Sequence, residues 1–246
     1  MKQFIPNALT LLNVFCGSVA AIFVINDNFI TASFFVFLGI FFDFFDGFTA
    51  RKLNVQSELG LQLDSLADVI TSGLVPGLIM YKLLDLSHGS WTETPLHSNT
   101  FFSLNEIIWF PFLGLAITLA SAYRLAKFNI DEDQQTYFKG LPTPANALLI
   151  ISFPLILEFQ NSDVINKIIL NKWFLVVVTI LSCYLLNSNI KLFALKFKDY
   201  TFKANAIRYI FIILCAVLLI ILQFAAIPLI VLIYITLSVL DNLTSK

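Results

Sequence analysis

From Ala8 to Leu240 the chain alternates runs of about 20 apolar residues, the length that spans a bilayer, with short polar connectors. That alternation leaves few folds open. A backbone in hydrocarbon must satisfy its own hydrogen bonds, so runs of this length fold as helices. The expected spans are Ala8–Ile25, Phe29–Phe48, Leu61–Leu84, Ile107–Phe128, Ala145–Phe159, Trp173–Ile190, Ile207–Leu222 and Phe224–Leu240. The last two are nearly continuous. As one helix, Ile207 to Leu240 would reach about 51 Å, too long for one crossing. Gln223 and Pro228 therefore mark a turn, with seven spans as the alternative. Composition agrees: 58% of residues are hydrophobic, 13% are charged, and the mean hydropathy is +0.84. The fold class expected is all-α, a polytopic membrane helical bundle.

Charge sets the orientation. Twelve of the 15 Lys and Arg fall on one side of this topology; Lys82, Lys167 and Lys172 fall on the other. The positive-inside rule then places both termini on the cytoplasmic side, which requires an even number of spans. No cleavable signal is expected in MKQFIPNALT. Cys16, Cys183 and Cys215 all lie in apolar runs and read as small buried hydrophobes. The longest loop, Asp85–Asn105, falls outside; its His88 and His97 have no matching ligand spacing. The phenylalanines of the second run, Phe34, Phe35, Phe41, Phe42, Phe44 and Phe45, are expected to face lipid or pack.

The chemistry is concentrated between Asp43 and Asp68, in DFFDGFTARKLNVQSELGLQLDSLAD. Carboxylates at membrane depth are expensive and mark functional sites. Asp43, Asp46, Gly47 and Ala50 fall within roughly a 100° arc of one helix, and Gly60, Asp64 and Asp68 share a face of the next. Four acids so placed repel one another unless cations neutralise them. Oxygen-only ligands select hard ions such as Mg²⁺, Mn²⁺ or Ca²⁺. Gly47, Ala50 and Gly60 leave room for a ligand against the backbone, and Arg51 is suited to phosphate. The combination points to phosphoryl-group chemistry. A cation transporter is the reading from another class, but its path would need further polar residues across the membrane, and none form a series.

The spacing Asp43-x2-Asp46-Gly47-x2-Ala50-Arg51-x8-Gly60-x3-Asp64-x3-Asp68 resembles, position for position, the signature of the CDP-alcohol phosphotransferases. Two further segments, Tyr123–Asn129 and Phe138–Ala145, resemble the bacterial and archaeal membrane-embedded phosphatidylserine synthases of that family. The resemblance covers most of Ile5–Ala147. It implies a six-helix core, so one membrane domain is expected over residues 1–246, with a core of about 1–190 and an added helix pair at about 204–241.

It also implies a reaction, CDP-diacylglycerol with L-serine giving phosphatidylserine and CMP. Phosphatidylglycerophosphate synthase is the alternative. The implied cofactor is a pair of Mg²⁺ or Mn²⁺ ions on Asp43, Asp46 and Asp64, with Asp68 as general base and a further possible ligand. Asn7, Asp46, Gly47, Ala50, Arg51 and Gly60 would hold CDP-diacylglycerol. Serine's carboxylate needs a cation, and Arg124 and Lys127 are the candidates, although both could simply anchor a helix end at the interface. Gly140, Pro142 and Pro144 read equally well as a plain loop entering a helix. A homodimer in a bacterial inner membrane, with the site facing the cytoplasm, completes the expectation.

Overall fold

A computed structural model of the chain describes residues 4–87, 109–130, 138–192 and 202–244. Helix α1 (Phe4–Ile25) turns through Asn26–Asn28 into α2 (Phe29–Leu53). The Asn28 side chain caps α2 by accepting from the Thr31 amide at 3.1 Å, and Asn54 ends it in the left-handed region at φ 53°. Ser57 caps α3 (Glu58–Asp68), which passes through a π-helical turn, Val69–Leu74, into α4 (Val75–Ser87). A 3₁₀ turn, Phe110–Leu115, leads into α5 (Ala116–Ile130). Then come α6 (Thr143–Phe159), α7 (Asp163–Ile169), α8 (Lys172–Asn187), α9 (Phe202–Leu222) and α10 (Ala226–Thr244).

The chain is an integral membrane protein with an all-α bundle, and within the described residues the eight expected apolar segments fall largely in helical stretches. By length and composition four helical runs can cross a membrane: Phe4–Ile25, Phe29–Leu53, Glu58–Ser87 and Tyr209–Leu240. The pair α7 and α8, bent by 56°, adds a fifth if it acts as one span. The Tyr209–Leu240 run is folded back on itself. Gln223 has φ 47°, and the rings of Phe211 and Tyr234 lie 5.7 Å apart. On a continuous helix they would be about 35 Å apart. The turn expected at Gln223 is therefore present, and α9 and α10 form an antiparallel hairpin. Gln160, just beyond α6, holds that turn: its amide donates to the Leu222 carbonyl at 2.8 Å and accepts from the Ala225 amide at 2.9 Å.

The bundle core is aliphatic and fully buried. Ala20 and Val24 of α1, Ala32 and Val36 of α2, Ile79, Met80, Leu83 and Leu84 of α4, and Ile150 and Ile151 of α6 meet there. Phe34, Phe41, Phe44 and Phe45 are exposed on the bundle surface, whereas Phe35 stacks on Phe23 at 5.9 Å against the core. Apolar area on this outer face carries no cost in lipid. An ion pair, Lys82–Asp27 at 2.8 Å, ties α4 to the α1–α2 turn.

Besides the π-helical turn, two features were not expected. Helix α7 occupies what reads as a connector. A two-residue antiparallel pair, β1 (Phe138–Lys139) with β2 (Lys191–Leu192), closes the opposite end of the bundle. Beside it Gly140 adopts φ 75° and donates to the Ile190 carbonyl at 2.9 Å; Leu141 donates to Leu185 at 2.9 Å. The segment entering α6 is thus fixed to the end of α8, which a plain loop would not be. His88 and His97 lie outside the described residues.

Candidate active site

Asp43 and Asp46 lie one turn apart on α2, and Asp64 and Asp68 one turn apart on α3. Packing of α2 and α3 around α1 brings the two acidic faces together. One carboxylate oxygen each from Asp43, Asp46 and Asp64 lies within 4.8 Å of the others. Asp46 is buried, and its Oδ2 accepts a hydrogen bond of 2.6 Å from Thr10 Oγ1 on α1. No Lys or Arg forms an ion pair with these three carboxylates among the described residues. Arg51 lies near enough to Asp46 for their charges to attract, but it forms no ion pair with the cluster, and convergent hard oxygen donors so placed fit a divalent cation such as Mg²⁺ or Mn²⁺.

The cluster borders a cavity of about 470 Å³. Six residues expected to bind the nucleotide line it: Asn7, Asp46, Gly47, Ala50, Arg51 and Gly60. Asn7 comes from α1 and reaches α3, where a Cβ on Gly60 would lie 3.4 Å from Asn7 Oδ1 and 3.2 Å from Ser57 Oγ. Arg51 is exposed at the C-terminal end of α2 and free to approach a phosphate.

A second cavity, of about 210 Å³, lies across α3. Asp64 lines both cavities. The second also holds Asp68, Arg124, Asn129 and Thr143. Thr143 Oγ1, in the first turn of α6, donates to Asp68 Oδ2 at 3.2 Å. Arg124 is 9% exposed, lies near enough to Asp68 for their charges to attract, and keeps its Nε without a protein partner. Asn129 and Ser65 hydrogen-bond at 2.9 Å and close the rim.

Lys127 is placed elsewhere. It is exposed and lines, with Arg124 and Lys139, a separate pocket of about 20 Å³ near Asn187. Asp43 belongs to the acidic cluster and lines neither of these two cavities.

Comparison with known proteins fits this geometry. The sequence matches the family described as CDP-alcohol phosphatidyltransferase over residues 3–185. The chain belongs to that family.

Curated relatives of this chain named CDP-diacylglycerol–serine O-phosphatidyltransferase include proteins of Bacillus subtilis, Methanocaldococcus jannaschii and Helicobacter pylori. The Bacillus subtilis protein is 33% identical over 157 residues, covering 61% of this chain and 76% of the relative. The Methanocaldococcus jannaschii protein is 31% identical over 165 residues, covering 67% and 66%. The Helicobacter pylori protein is 30% identical over 152 residues, covering 59% and 55%. The chain thus spans between about half and three quarters of these relatives' lengths.

Three residues that shape the candidate site were not singled out from sequence. Thr10 and Thr143 orient carboxylates, and Asn129 shapes the second cavity. Thr10 had a signal, since it lies at i+3 from Asn7 on the same helical face. Thr143 lies in the Phe138–Ala145 segment that carried the resemblance, but its contact with Asp68 had no local signal, because the β1–β2 pairing that delivers it depends on residues about 50 positions away.

Proposed function

We propose that this chain transfers the phosphatidyl group of CDP-diacylglycerol to L-serine, giving phosphatidylserine and CMP. The observation that carries this reading is the shared wall at Asp64. A cavity with phosphate-compatible Arg51 and close-approach glycines lies on one side. A smaller cavity with a carboxylate, Asp68, and a buried guanidinium, Arg124, lies on the other. Donor and acceptor would meet at that wall. The names of the relatives support serine as the acceptor.

Asp43, Asp46 and Asp64, with Asp68 as a further ligand, would hold two divalent ions, Mg²⁺ or Mn²⁺. When bound, such ions neutralise diphosphate charge and stabilise charge on the departing CMP. Asn7, Gly47, Ala50, Arg51 and Gly60 bind and orient the nucleotide. Arg124 pairs with the serine carboxylate and turns the hydroxyl toward Asp68; Lys127, in the neighbouring pocket that Arg124 also lines, adds positive charge from that side. Asp68 takes the hydroxyl proton as the serine oxygen attacks the phosphorus bearing diacylglycerol. The bond from that phosphorus to the CMP oxygen breaks, and CMP leaves with the pair of electrons. No covalent enzyme intermediate is needed.

The same proposal includes a single domain with a core at about 1–190 and an added hairpin at about 204–241. It also includes a homodimer in a bacterial inner membrane, with the site and both termini toward the cytoplasm, where twelve of the 15 Lys and Arg would lie. The deciding experiment supplies purified protein and CDP-diacylglycerol with serine, glycerol 3-phosphate or inositol phosphate in turn. CMP release and phosphatidylserine formation with serine alone are expected. Turnover only with glycerol 3-phosphate would replace serine by that acceptor.

A further inference from the structure

Asp64 and Asp68 are carried by α3, but the buried anchor of that helix is α4. Between them lies the π-helical turn Val69–Leu74, beginning directly after Asp68. Within it the Val75 amide donates to the Ile70 carbonyl, five residues back. In an uninterrupted α-helix, at about 100° per residue, the core positions Ile79, Met80, Leu83 and Leu84 would centre about 110° from the Asp64–Asp68 face. A π turn inserts one residue, which takes back about 100°. The wide turn therefore brings the acidic face and the core face of one helical rod onto the same side. Without it, either the carboxylates or the aliphatic anchors would swing out of the bundle.

Side chains from two neighbouring helices hold this turn. Thr71 is fully buried, and its Oγ1 donates to Asn13 Oδ1 at 2.7 Å and approaches the Asn13 carbonyl at 3.2 Å. Thr118, on α5, donates to the Gly73 carbonyl at 3.1 Å. Space for the Asn13–Thr71 contact comes from Gly17 and Gly39. A Cβ on Gly39 would lie 2.8 Å from both Asn13 Oδ1 and Thr71 Cγ2, and one on Gly17 would collide with Thr71 Oγ1. Asn7, Thr10 and Asn13 follow one another at i+3 on α1. That helix thus touches the nucleotide cavity, Asp46 and the π turn in succession. Asn13, Thr71 and Thr118 line neither cavity of the site.

We propose that Asn13, Thr71 and Thr118 are positioning residues: they hold the π-helical turn that rotates Asp64 and Asp68 toward Asp43 and Asp46. The proposal rests on the reading of those carboxylates as the reactive, metal-holding centre.

The test compares Thr71→Val, which keeps shape and loses the donor, with Thr71→Ser, which keeps the donor. Mn²⁺ is titrated into detergent-purified, substrate-free protein and followed by its paramagnetic resonance signal; kcat, both KM values and the melting temperature are recorded alongside. Partners that orient metal ligands typically cost 10–100-fold in affinity or activity when removed, so about that loss in Mn²⁺ affinity and in kcat is expected for Thr71→Val. Thr71→Ser is expected to stay close to wild type. Folded Thr71→Val with wild-type Mn²⁺ affinity and kcat overturns the proposal, even if its melting temperature falls. If Thr71→Val does not fold, Thr118→Val carries the same test with the same two outcomes. The Mn²⁺ readout stands whichever alcohol the wild type accepts, so failure of the serine reading and failure of this one are distinguishable. A wild type that binds no Mn²⁺ overturns it outright.

Discussion

Thr10 Oγ1 donates to Asp46 Oδ2 at 2.6 Å across the interface of α1 and α2, and Asp46 is only 5% exposed. The hydroxyl also lies 3.1 Å from the Pro6 carbonyl, one turn back. A short hydrogen bond from a hydroxyl to a buried carboxylate is among the stronger kinds. Thr10→Val should therefore lower activity by about 10–100-fold while leaving the protein folded. Thr10→Ser should keep most of it. Mg²⁺-dependence curves for the three proteins check this, and superimposable curves would remove Thr10 from the site.

Asp64 stands in the wall between the two cavities and in the carboxylate cluster, so its loss should strike both. Asp64→Ala is expected to abolish phosphatidyl transfer and to weaken Mn²⁺ binding. Exhaustive chelation of the wild type should likewise abolish activity, and added Mg²⁺ or Mn²⁺ should restore it. Full activity after chelation, or in Asp64→Ala, would end the metal reading.

Much of this was legible in the sequence because it is local. The apolar runs, the one-turn spacing of the acids and the small residues beside them all follow from helical periodicity within a few residues. The cavity residues Asn7, Gly47, Ala50, Arg51 and Gly60 were named by spacing and resemblance, and the structure brings them to one cavity. The features that were missed depend on distant partners. The π turn answers to Asn13 and Thr118, far away in the chain. Lys127 looked equivalent to Arg124 because both end the same helix, yet three residues on a helix differ by about 60° in azimuth modulo a turn. That rotation leaves Arg124 buried beside Asp68 and Lys127 exposed.

Gly140 is required by conformation. At φ 75° an added side chain is disfavoured, and a Cβ there would lie 2.6 Å from the Leu186 carbonyl oxygen, which is backbone and cannot swing aside. Gly140→Ala should cost about 1–2 kcal/mol from the left-handed conformation alone. Because this segment delivers Thr143 to Asp68, activity should fall along with stability. Thermal unfolding in detergent and kcat, measured together, check both. A variant as stable as the wild type would contradict the strain.

Asp68 is held by Thr143 on one side and faces Arg124 on the other. Asp68→Asn keeps the shape and removes the base. Loss of a positioned base typically costs 10²–10⁴-fold in turnover. CDP-diacylglycerol binding should be largely retained, since the base acts on serine. Equilibrium binding of the nucleotide and single-turnover rates separate the two effects. Wild-type turnover would exclude Asp68 as the base. Loss of nucleotide binding would make it a metal ligand instead.

Arg124 is the cation best placed for the acceptor. It is nine-tenths buried, it lines the cavity of Asp68, and its Nε has no protein partner. Burying a guanidinium with an unused donor is costly unless a ligand completes it. A carboxylate is the matching group, and a bidentate pair is geometrically demanding. Arg124→Ala should therefore raise the KM for serine far more than that for CDP-diacylglycerol, and Arg124→Lys should not be silent. Lys127→Ala, on the exposed side of the helix, should have the smaller effect. Steady-state kinetics with each substrate varied in turn decides the assignment. If Arg124 only anchors the helix end, neither KM will move and only the yield of folded protein will change.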